Sequence, residues 1–433
     1  MADKITRLDL ARDQLDRQAT QPRGDAADNG ADHDWRADLA PSGTGFLGDE
    51  RNVLIALRGA PELAGLVRFN EFALQVEFSR SSPWRQASPG DPWRDEDDTQ
   101  LAEWLQAASL KVRGTGAIGG CIAVAAREYS YHPVRDYLAS LTWDGEPRLQ
   151  IWLADYLNAQ ADPVYLNAVG RKFMTSAIAR ILQPGCQADH VLVLEAAQGA
   201  GKTSAARSLA VHPAWFAGNL PEVTSKDATM QLCGRWIIEI AELKAIRTSQ
   251  IEATKTFLTQ CVDTFRPPYG RRTGQFPRQC VFIGTTNEST YLRDRTGNRR
   301  YWPVKCGRIE VPALIRDRDQ LWAEAVQLYR TDSVWHLTDE EAQLATAEQQ
   351  ERLEVSQLEE DVRVYLSQQT NRREITVREV LIDALHLDPD LSAYSETARK
   401  LGPAVAAALE ACGWQKIARI GRDKRTTYRR GQG

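Results

Sequence analysis

Three short apolar runs in the middle of the chain each end in polar residues. They are HVLVLEA at residues 190–196, RWIIEIAEL at 235–243 and QCVFIGTTN at 279–287. Short apolar runs of this kind are typical of buried strands. A helical pattern, KTSAARSLAV at 202–211, follows the first run at once. This alternation of strand, loop and helix predicts an α/β fold with a parallel sheet and crossover helices.

The hydrophobic pattern divides the rest of the chain into further segments. Residues 1–50 are rich in Asp, Arg, Ala and Gly, which predicts a disordered tail. Residues 51–160 predict a mixed, mostly helical domain, and 161–340 contain the α/β domain. A polar, Glu- and Gln-rich helix over 341–357 is interpreted as a linker. The helices and strand pair predicted over 358–433 are typical of a winged helix-turn-helix.

Composition narrows the class of protein. A chain of 433 residues with 42% hydrophobic residues predicts two to three globular domains. The net charge of −4 excludes a uniformly basic coat, so contacts with nucleic acid must use local patches. The seven cysteines form no CxxC pair, and no apolar run is long enough to span a membrane. We therefore expect a soluble protein of a reducing cytoplasm, without membrane contact.

The first apolar run leads into the string EAAQGAGKTSAARSL, which matches the phosphate-loop pattern [AG]xxxxGK[ST]. Glycines let backbone N–H groups turn towards phosphate oxygens, the lysine neutralises the β- and γ-phosphates, and the threonine hydroxyl holds Mg²⁺. Ala196 occupies the first position, where glycine is commoner. The string predicts a site for ATP and Mg²⁺. Its binding residues are Ala197, Gln198, Gly199, Ala200, Gly201, Lys202, Thr203 and Ser204.

Polar residues at the ends of the other two runs supply the remaining groups of an ATPase. Glu239 and Glu242 follow the second run, and a phosphate-loop enzyme needs one carboxylate for the metal and one to polarise water. We assign Glu239, with Thr203, to the metal and Glu242 to the water, although the two carboxylates could exchange roles. Asn287 ends the third run, where it can bind the γ-phosphate or orient the water.

Two basic segments complete the pattern. Arg299 and Arg300 lie in a turn before an apolar strand, and either could serve a neighbouring subunit's ATP. The string FRPPYGRRTGQFPRQ predicts a loop or hairpin with a basic, aromatic tip that suits a nucleic-acid backbone. Its proposed contacts are Tyr269, Arg271 and Arg272. The basic carboxy-terminal segment predicts DNA contact through a wing. The residues assigned to it are Lys416, Arg422, Lys424 and Arg425.

Together these residues resemble the virulence-associated protein E family, whose ATPase core is akin to superfamily 3 helicases. The matching strings are YHPVRDYLASLTWDGEPRL, LVLEAAQGAGKTS, RWIIEIAEL, TKTFLTQCVDTFRPPYGRR and RQCVFIGTTNESTYLRDRTGNRRYWPV. The resemblance implies a P-loop NTPase of AAA+-like architecture, assembled as a ring, with a hexamer as the expected size. It also implies replication of a phage, prophage or mobile element, inside a bacterial cell or phage-infected host. Relatives often carry a primase domain, so a separate primase is an expected partner here.

These expectations leave alternatives open. The leading hypothesis is an ATP-driven helicase or translocase acting on single-stranded, origin or fork DNA. A second is an AAA+ helicase loader or initiator that displaces no strand. A third is a DNA-binding regulator with a vestigial nucleotide site, which only Ala196 favours. A small-molecule kinase is the weakest hypothesis, because nothing in the sequence resembles a lid or an acceptor site.

Overall fold

The computed structural model describes most of the chain beyond residue 33. The described residues are 34–218, 226–243, 251–267, 272–292, 298–332, 334–353, 357–369, 372–385, 396–420 and 425–430. They fall into two units. The first contains the described residues of Met1–Ser289 and Asp294–Glu351, and the second those of Thr290–Arg293 and Arg352–Gly433. Within the described ranges, no helix combines the length and apolarity needed to cross a bilayer.

The amino-terminal part of the first unit surrounds a small hydrophobic core of its own. Its strands are β1 Pro41–Ser42, β2 Gly45–Leu47, β3 Val67–Asn70, β4 Gln75–Phe78, β5 Leu110–Lys111 and β6 Ser130–Tyr131, in two sheets ordered β1-β2-β5 and β4-β3-β6. Its helices are α1 Glu50–Gly59, α2 Asp95–Ala107 and α3 Ile118–Glu128. Asp49 caps α1 by accepting a hydrogen bond from the Asn52 N–H at 3.0 Å, and the helix buries Val53, Ala56 and Leu57.

The predicted disordered tail ends earlier than expected. The prediction covered residues 1–50, but residues 34–50 contain a 3-10 helix at Trp35–Asp38 and strands β1 and β2. Trp35 is 5% exposed and stacks against Trp104, with ring centroids 6.4 Å apart. A single buried tryptophan anchors a segment whose composition is otherwise polar, which a composition average cannot show. Residues 1–33 lie outside the described part of the chain.

The boundary between the first two predicted domains also moves. The helices α4 Pro133–Ser140, α5 Trp152–Leu157 and α6 Pro163–Leu182 share one hydrophobic core with the central sheet. Trp152 and Phe173 are almost fully buried in that core. The prediction placed the boundary after residue 160, whereas the two cores separate near residue 130. Helical periodicity alone does not show against which neighbour a helix packs.

The central sheet has five parallel strands in the order β13-β7-β12-β9-β8. The remaining elements of the first unit, in chain order, are β7 Val191–Glu195, α7 Lys202–Leu209, β8 Phe216–Ala217, α8 Lys226–Gln231, β9 Ile237–Ile240, α9 Ile251–Thr259, β10 Val262–Phe265, β11 Gly274–Pro277, β12 Val281–Thr286, β13 Tyr301–Lys305, α10 Val311–Thr331 and α11 Asp339–Glu351. Strands β10 and β11 form a separate antiparallel hairpin. The predicted α/β fold with a parallel sheet is confirmed.

Helix α11 belongs to the first unit instead of linking two domains. Ala345 is buried in the main core, and the Gln349 side-chain amide donates to the Tyr301 carbonyl at 2.8 Å. Glu341 pairs with Lys172 of α6 at 2.6 Å. The linker predicted over 341–357 is therefore packed against the sheet over most of its length, because its few apolar positions find a partner surface.

The described residues of the second unit form three helices and a three-stranded antiparallel sheet. Its elements are α12 Gln357–Gln368, β14 Glu374–Thr376, α13 Val377–Asp383, α14 Glu396–Ala411, β15 Trp414–Ile420 and β16 Arg425–Arg430, with the strands in the order β14-β16-β15. Trp414 and Tyr428 lie in its small core. Thr376 and Glu379 form a reciprocal capping box that begins α13.

Candidate nucleotide site at the carboxyl end of the sheet

The phosphate-loop string forms the connection between β7 and α7. Gly199 and Gly201 have φ angles of +80° and +97°, which only glycine adopts without strain. Ala196 is not among the described residues with positive φ, so an alanine is accommodated at that position. Its N–H donates to the Thr286 carbonyl of β12 at 3.2 Å. The backbone conformation at this position therefore does not require glycine.

The start of α7 offers hydrogen-bond donors to an anion. The helix begins at Lys202 directly after Gly201, which has no side chain with which to cap the first-turn amides. Lys202 Nζ donates to the carbonyls of Ala196 and Ala197, at 2.6 and 3.0 Å, so the ammonium is held over the loop. Burial lowers the pKa of Lys202, and an anion placed beside the ammonium would reverse that shift.

Glu239 connects the loop to the neighbouring strands. Its Oε1 accepts hydrogen bonds from Thr203 Oγ1 at 2.7 Å and from Thr285 Oγ1 at 2.9 Å. The Glu239 residue is 1% exposed, and a buried carboxylate needs such partners. The structure thus brings together the two residues that the sequence assigned to Mg²⁺. Hydroxyl and carboxylate oxygens are the ligands that Mg²⁺ prefers, so the donor set fits that ion.

Glu242 and Asn287 reach the same place from two other directions. Both side chains are exposed and line a cleft of about 510 Å³ whose other walls include residues 198–204 and Glu239. Glu242 has a φ of +51°, a conformation that is uncommon for a residue with a side chain and that tends to occur at functional sites. The four predicted groups, namely loop, metal carboxylate, second carboxylate and strand-end asparagine, therefore share one cleft.

Sequence reasoning missed Thr285 as a member of this site. Thr285 lies at the end of β12, two positions before Asn287, and both line the cleft, as does Thr286. The available signal was the position of Thr285 at the polar end of the third apolar run. The hydroxyl orients the Glu239 carboxylate together with Thr203.

The two candidate arginines lie at the opposite end of the sheet. Tyr301, which follows them, pairs with Val191, the first residue of β7, whereas the phosphate loop follows the last residue of β7. Arg300 is held internally by Asp189, at 3.7 Å, and by Thr259, at 3.3 Å. Arg299 is exposed. Neither arginine is brought to the cleft of its own chain, and only Arg299 is presented outward.

The residues assigned to nucleic acid are described only in part. The β10–β11 hairpin is present where a loop or hairpin was predicted, but Tyr269 and Arg271 at its tip lie outside the described residues. Arg272 is exposed and lies two residues before the returning strand β11 begins. In the second unit, Lys416 is exposed on β15 and Arg425 begins β16, whereas Arg422 and Lys424 lie outside the described residues.

One basic residue of the hairpin segment has a structural role instead. Arg278 is 2% exposed and forms two hydrogen bonds with the buried Asp263, at 2.8 and 2.9 Å. Its guanidinium lies over the Phe257 ring, 4.4 Å from the centroid. Arg278 thus fastens the hairpin to α9 and does not belong to the exposed basic tip.

The model of the virulence-associated protein E-like domain matches residues 138–354. That span covers half of the chain and contains every element of the cleft. The chain belongs to the virulence-associated protein E-like family. The assignment agrees with the resemblance seen in the sequence.

Two solved structures are reported as similar to this family member. One is the apo structure of the NrS-1 C-terminal region (305–718), with 11% identity, 84% of this chain and 95% of that chain covered, and a TM-score of 0.43. The other is the A form of the same region, with 11% identity, coverages of 84% and 96%, and a TM-score of 0.42. No match was found among curated proteins.

Proposed function

We propose that this virulence-associated protein E-like chain is a P-loop ATPase of AAA+-like architecture that works as a DNA helicase or translocase. The single observation that carries the proposal is the 2.7 Å contact between Thr203 of the phosphate loop and Glu239 of the neighbouring strand. A hydroxyl and a carboxylate in contact beside a glycine loop and a helix amino terminus are the arrangement that binds Mg²⁺ and a triphosphate.

Each residue of the cleft has a distinct task in this proposal. Loop amides and Lys202 bind the phosphates and neutralise charge, while Thr203 and Glu239 would hold Mg²⁺, which would supply Lewis-acid polarisation of the phosphates. Glu242 accepts a proton from the attacking water. The oxygen of that water bonds to the γ-phosphorus as the bond between the γ-phosphorus and the β-γ bridging oxygen breaks. Asn287 orients that water or the γ-phosphate. Because Glu239 is buried and bonded to two hydroxyls whereas Glu242 is exposed, this division is favoured over its reverse.

The exposed Arg299 is proposed to act on a neighbouring subunit. It lies at the amino end of the sheet, away from the cleft of its own chain, so it reaches a nucleotide only across an interface between copies. Arg300, held by Asp189 and Thr259, is assigned to positioning that turn. A head-to-tail interface of this kind generates a ring when the rotation between copies closes, and a closed hexamer is the proposed assembly.

DNA is the proposed substrate of the motor. The β10–β11 hairpin carries the basic, aromatic segment with Tyr269, Arg271 and Arg272. The helices and antiparallel strands of the second unit, with exposed Lys416 and further cations in its last strand, support our proposal of a winged helix. We propose single-stranded and fork or origin DNA as ligands, replication of a phage, prophage or mobile element as the setting, and the cytoplasm as the location. A separate primase is the proposed partner.

The test is to measure ATP hydrolysis, strand displacement on a forked duplex and native mass with ATP and Mg²⁺. The wild type is expected to hydrolyse ATP faster with single-stranded DNA and to displace a strand as a ring. Lys202→Ala should abolish both activities, whereas Arg316→Ala, which removes an exposed cation of α10 outside the cleft, should leave them unchanged.

Two other results would change the interpretation. ATP hydrolysis by a DNA-bound assembly that displaces no strand would favour the loader or initiator. Folded protein that binds no nucleotide would contradict the motor altogether and leave a DNA-binding regulator. Ala196, the one residue that favoured a vestigial site, does not have a positive φ, so backbone strain at this position does not support that alternative.

A further inference from the structure

A second cavity, of about 300 Å³, lies in the first unit beside the root of the β10–β11 hairpin. Its walls include three phenylalanines, Phe72, Phe265 and Phe276, and the polar residue Gln279. The rings of Phe265 and Phe276 have centroids 4.5 Å apart. Gln279 precedes β12, whereas Asn287 of the nucleotide cleft follows it, so the cavity and the cleft are at opposite ends of the sheet.

The charged residues of this cavity neutralise one another. Arg278 pairs with Asp263 at 2.8 Å, and Arg135 pairs with Glu71 at 3.3 Å. All four line the cavity, and each guanidinium is matched by one carboxylate. A triphosphate would find no net positive charge here, in contrast to the cleft at the phosphate loop. The cavity is therefore suited to a neutral, planar group.

Gln279 presents hydrogen-bond donors in a fixed orientation. His132 Nδ1 accepts from the Arg135 backbone N–H at 3.2 Å, so the ring proton lies on Nε2 and is donated to Gln279 Oε1 at 2.7 Å. Burial lowers the pKa of His132 to about 4, which keeps the ring neutral at physiological pH. With its oxygen occupied, the Gln279 amide keeps its NH₂ group for an acceptor on a ligand.

We propose that this cavity binds a single nucleobase of single-stranded nucleic acid that contacts the hairpin. A nucleobase is planar and neutral, stacks on aromatic rings and carries acceptor atoms on its edge for the Gln279 amide. A cavity of this size is at the lower end of ligand pockets, which fits one base better than a whole nucleotide. The inference rests on the proposed action of the hairpin on DNA and adds a base-binding site to it.

The first experiment compares an oligothymidylate with the same oligonucleotide carrying abasic sites, by fluorescence anisotropy with the full chain. The wild type should bind the intact strand roughly tenfold or more tightly than the abasic strand. Phe276→Ala should remove most of that discrimination. Gln275→Ala is the matched control, because Gln275 is the exposed neighbour on the same strand and does not line the cavity.

The second experiment locates the base directly. Oligonucleotides containing 5-iododeoxyuridine are photo-crosslinked to the protein, and the modified peptides are mapped by mass spectrometry. Crosslinks at Phe265 or Phe276 that unlabelled oligothymidylate suppresses would support the proposal that the cavity binds a base of a nucleic-acid strand. Crosslinks that only free thymidine removes would place a free nucleoside in the cavity and overturn the strand assignment.

Failure of this inference can be separated from failure of the proposed function. Basal ATP hydrolysis is measured for Phe276→Ala without nucleic acid and is expected to equal that of the wild type. Active enzyme with unchanged base discrimination in Phe276→Ala, or with crosslinks only outside the cavity, overturns the inference and leaves the motor intact. Protein that hydrolyses no ATP but forms crosslinks at Phe276 would support the base site and contradict the proposed motor. A wild type that binds no strand overturns the base site whatever its ATPase rate.

Discussion

The two ends of the central sheet differ in how their charged side chains are paired. At the carboxyl end, Glu239 is bonded to two neutral hydroxyls, and the Lys202 ammonium to neutral carbonyls, so neither charge has a salt-bridge partner among these contacts. At the amino end, Arg278 is closed against Asp263, and Arg300 lies against Asp189. Charges without an ion-pair partner favour binding of a charged ligand, whereas ion pairs within the protein fix the positions of the elements that carry them.

The two ends of the sheet are therefore expected to respond differently to substitution, the carboxyl end in its reaction rate and the amino end in its stability. Substitutions at the carboxyl end are expected to change rates more than stability, because the charges of Lys202 and Glu239 have no salt-bridge partner to lose among the contacts described above. Substitutions of the paired cations at the amino end are expected to change stability first. Arg299 is the exception at the amino end. Because its side chain is exposed, its substitution is expected to change the reaction rate and not the stability.

The largest effect is expected for Arg299→Ala compared with Arg300→Ala. Loss of an arginine that stabilises transition-state charge should lower kcat for ATP by about 10³-fold, with an unchanged Tm. Arg300→Ala should lower the Tm, because the half-buried Asp189 loses its partner. Steady-state hydrolysis and thermal unfolding check both.

Mixing Arg299→Ala with Lys202→Ala protein provides the control for action in trans. Mixed rings should regain hydrolysis, because an intact arginine of one subunit then meets an intact loop of its neighbour. No recovery in assemblies shown to be mixed by native mass would contradict the assignment.

Next in size is the pair of carboxylates. Glu242→Gln should reduce hydrolysis by about 10²-fold and leave ATP affinity nearly unchanged, because a general base acts on water and not on nucleotide binding. Glu239→Gln should weaken the Mg²⁺ dependence of binding as well. Titration of ATP binding against Mg²⁺, together with single-turnover hydrolysis, distinguishes them. If Glu242→Gln shifted the Mg²⁺ requirement and Glu239→Gln did not, the two roles would be exchanged.

Stability should dominate at the buried pair of the amino end. Arg278→Ala leaves Asp263, which is 3% exposed, without its partner and should cost about 3–5 kcal/mol in the free energy of unfolding. Denaturant unfolding measures this loss. Arg272→Ala, at an exposed position of the same hairpin, should change the free energy by less than about 0.5 kcal/mol. Equal losses in both variants would show that the ion pair does not fasten the hairpin.

The smallest effect is expected for Ala196→Gly. Since Ala196 does not have a positive φ, glycine relieves no strain and only increases the freedom of the unfolded chain. The free energy of unfolding should fall by about 0.4–1 kcal/mol, with an unchanged kcat. A several-fold rise in ATP hydrolysis would instead show that alanine restricts the loop.

Local pattern accounts for the parts of the site that are close in sequence. The apolar runs predicted the three strands that carry the loop, Glu239 and Asn287, because burial and strand period are written into neighbouring residues. The parallel pairing of these strands in the structure then places their polar carboxyl ends around one cleft. The choice between Arg299 and Arg300 was not predictable, since the two are adjacent and identical in chemistry.

The sequence by itself determined the strands, the glycine turn, the helix that follows it and the set of groups proposed to bind a triphosphate. Tertiary structure decided the strand order and the ion pairs that Arg278 and Arg300 form with carboxylates elsewhere in the chain. It also decided the packing of α11 and the cavity beside Phe276. The reason is physical. Periodicity and backbone conformation depend on residues a few positions apart, whereas ion pairing and cavity walls depend on which distant segments meet when the core forms.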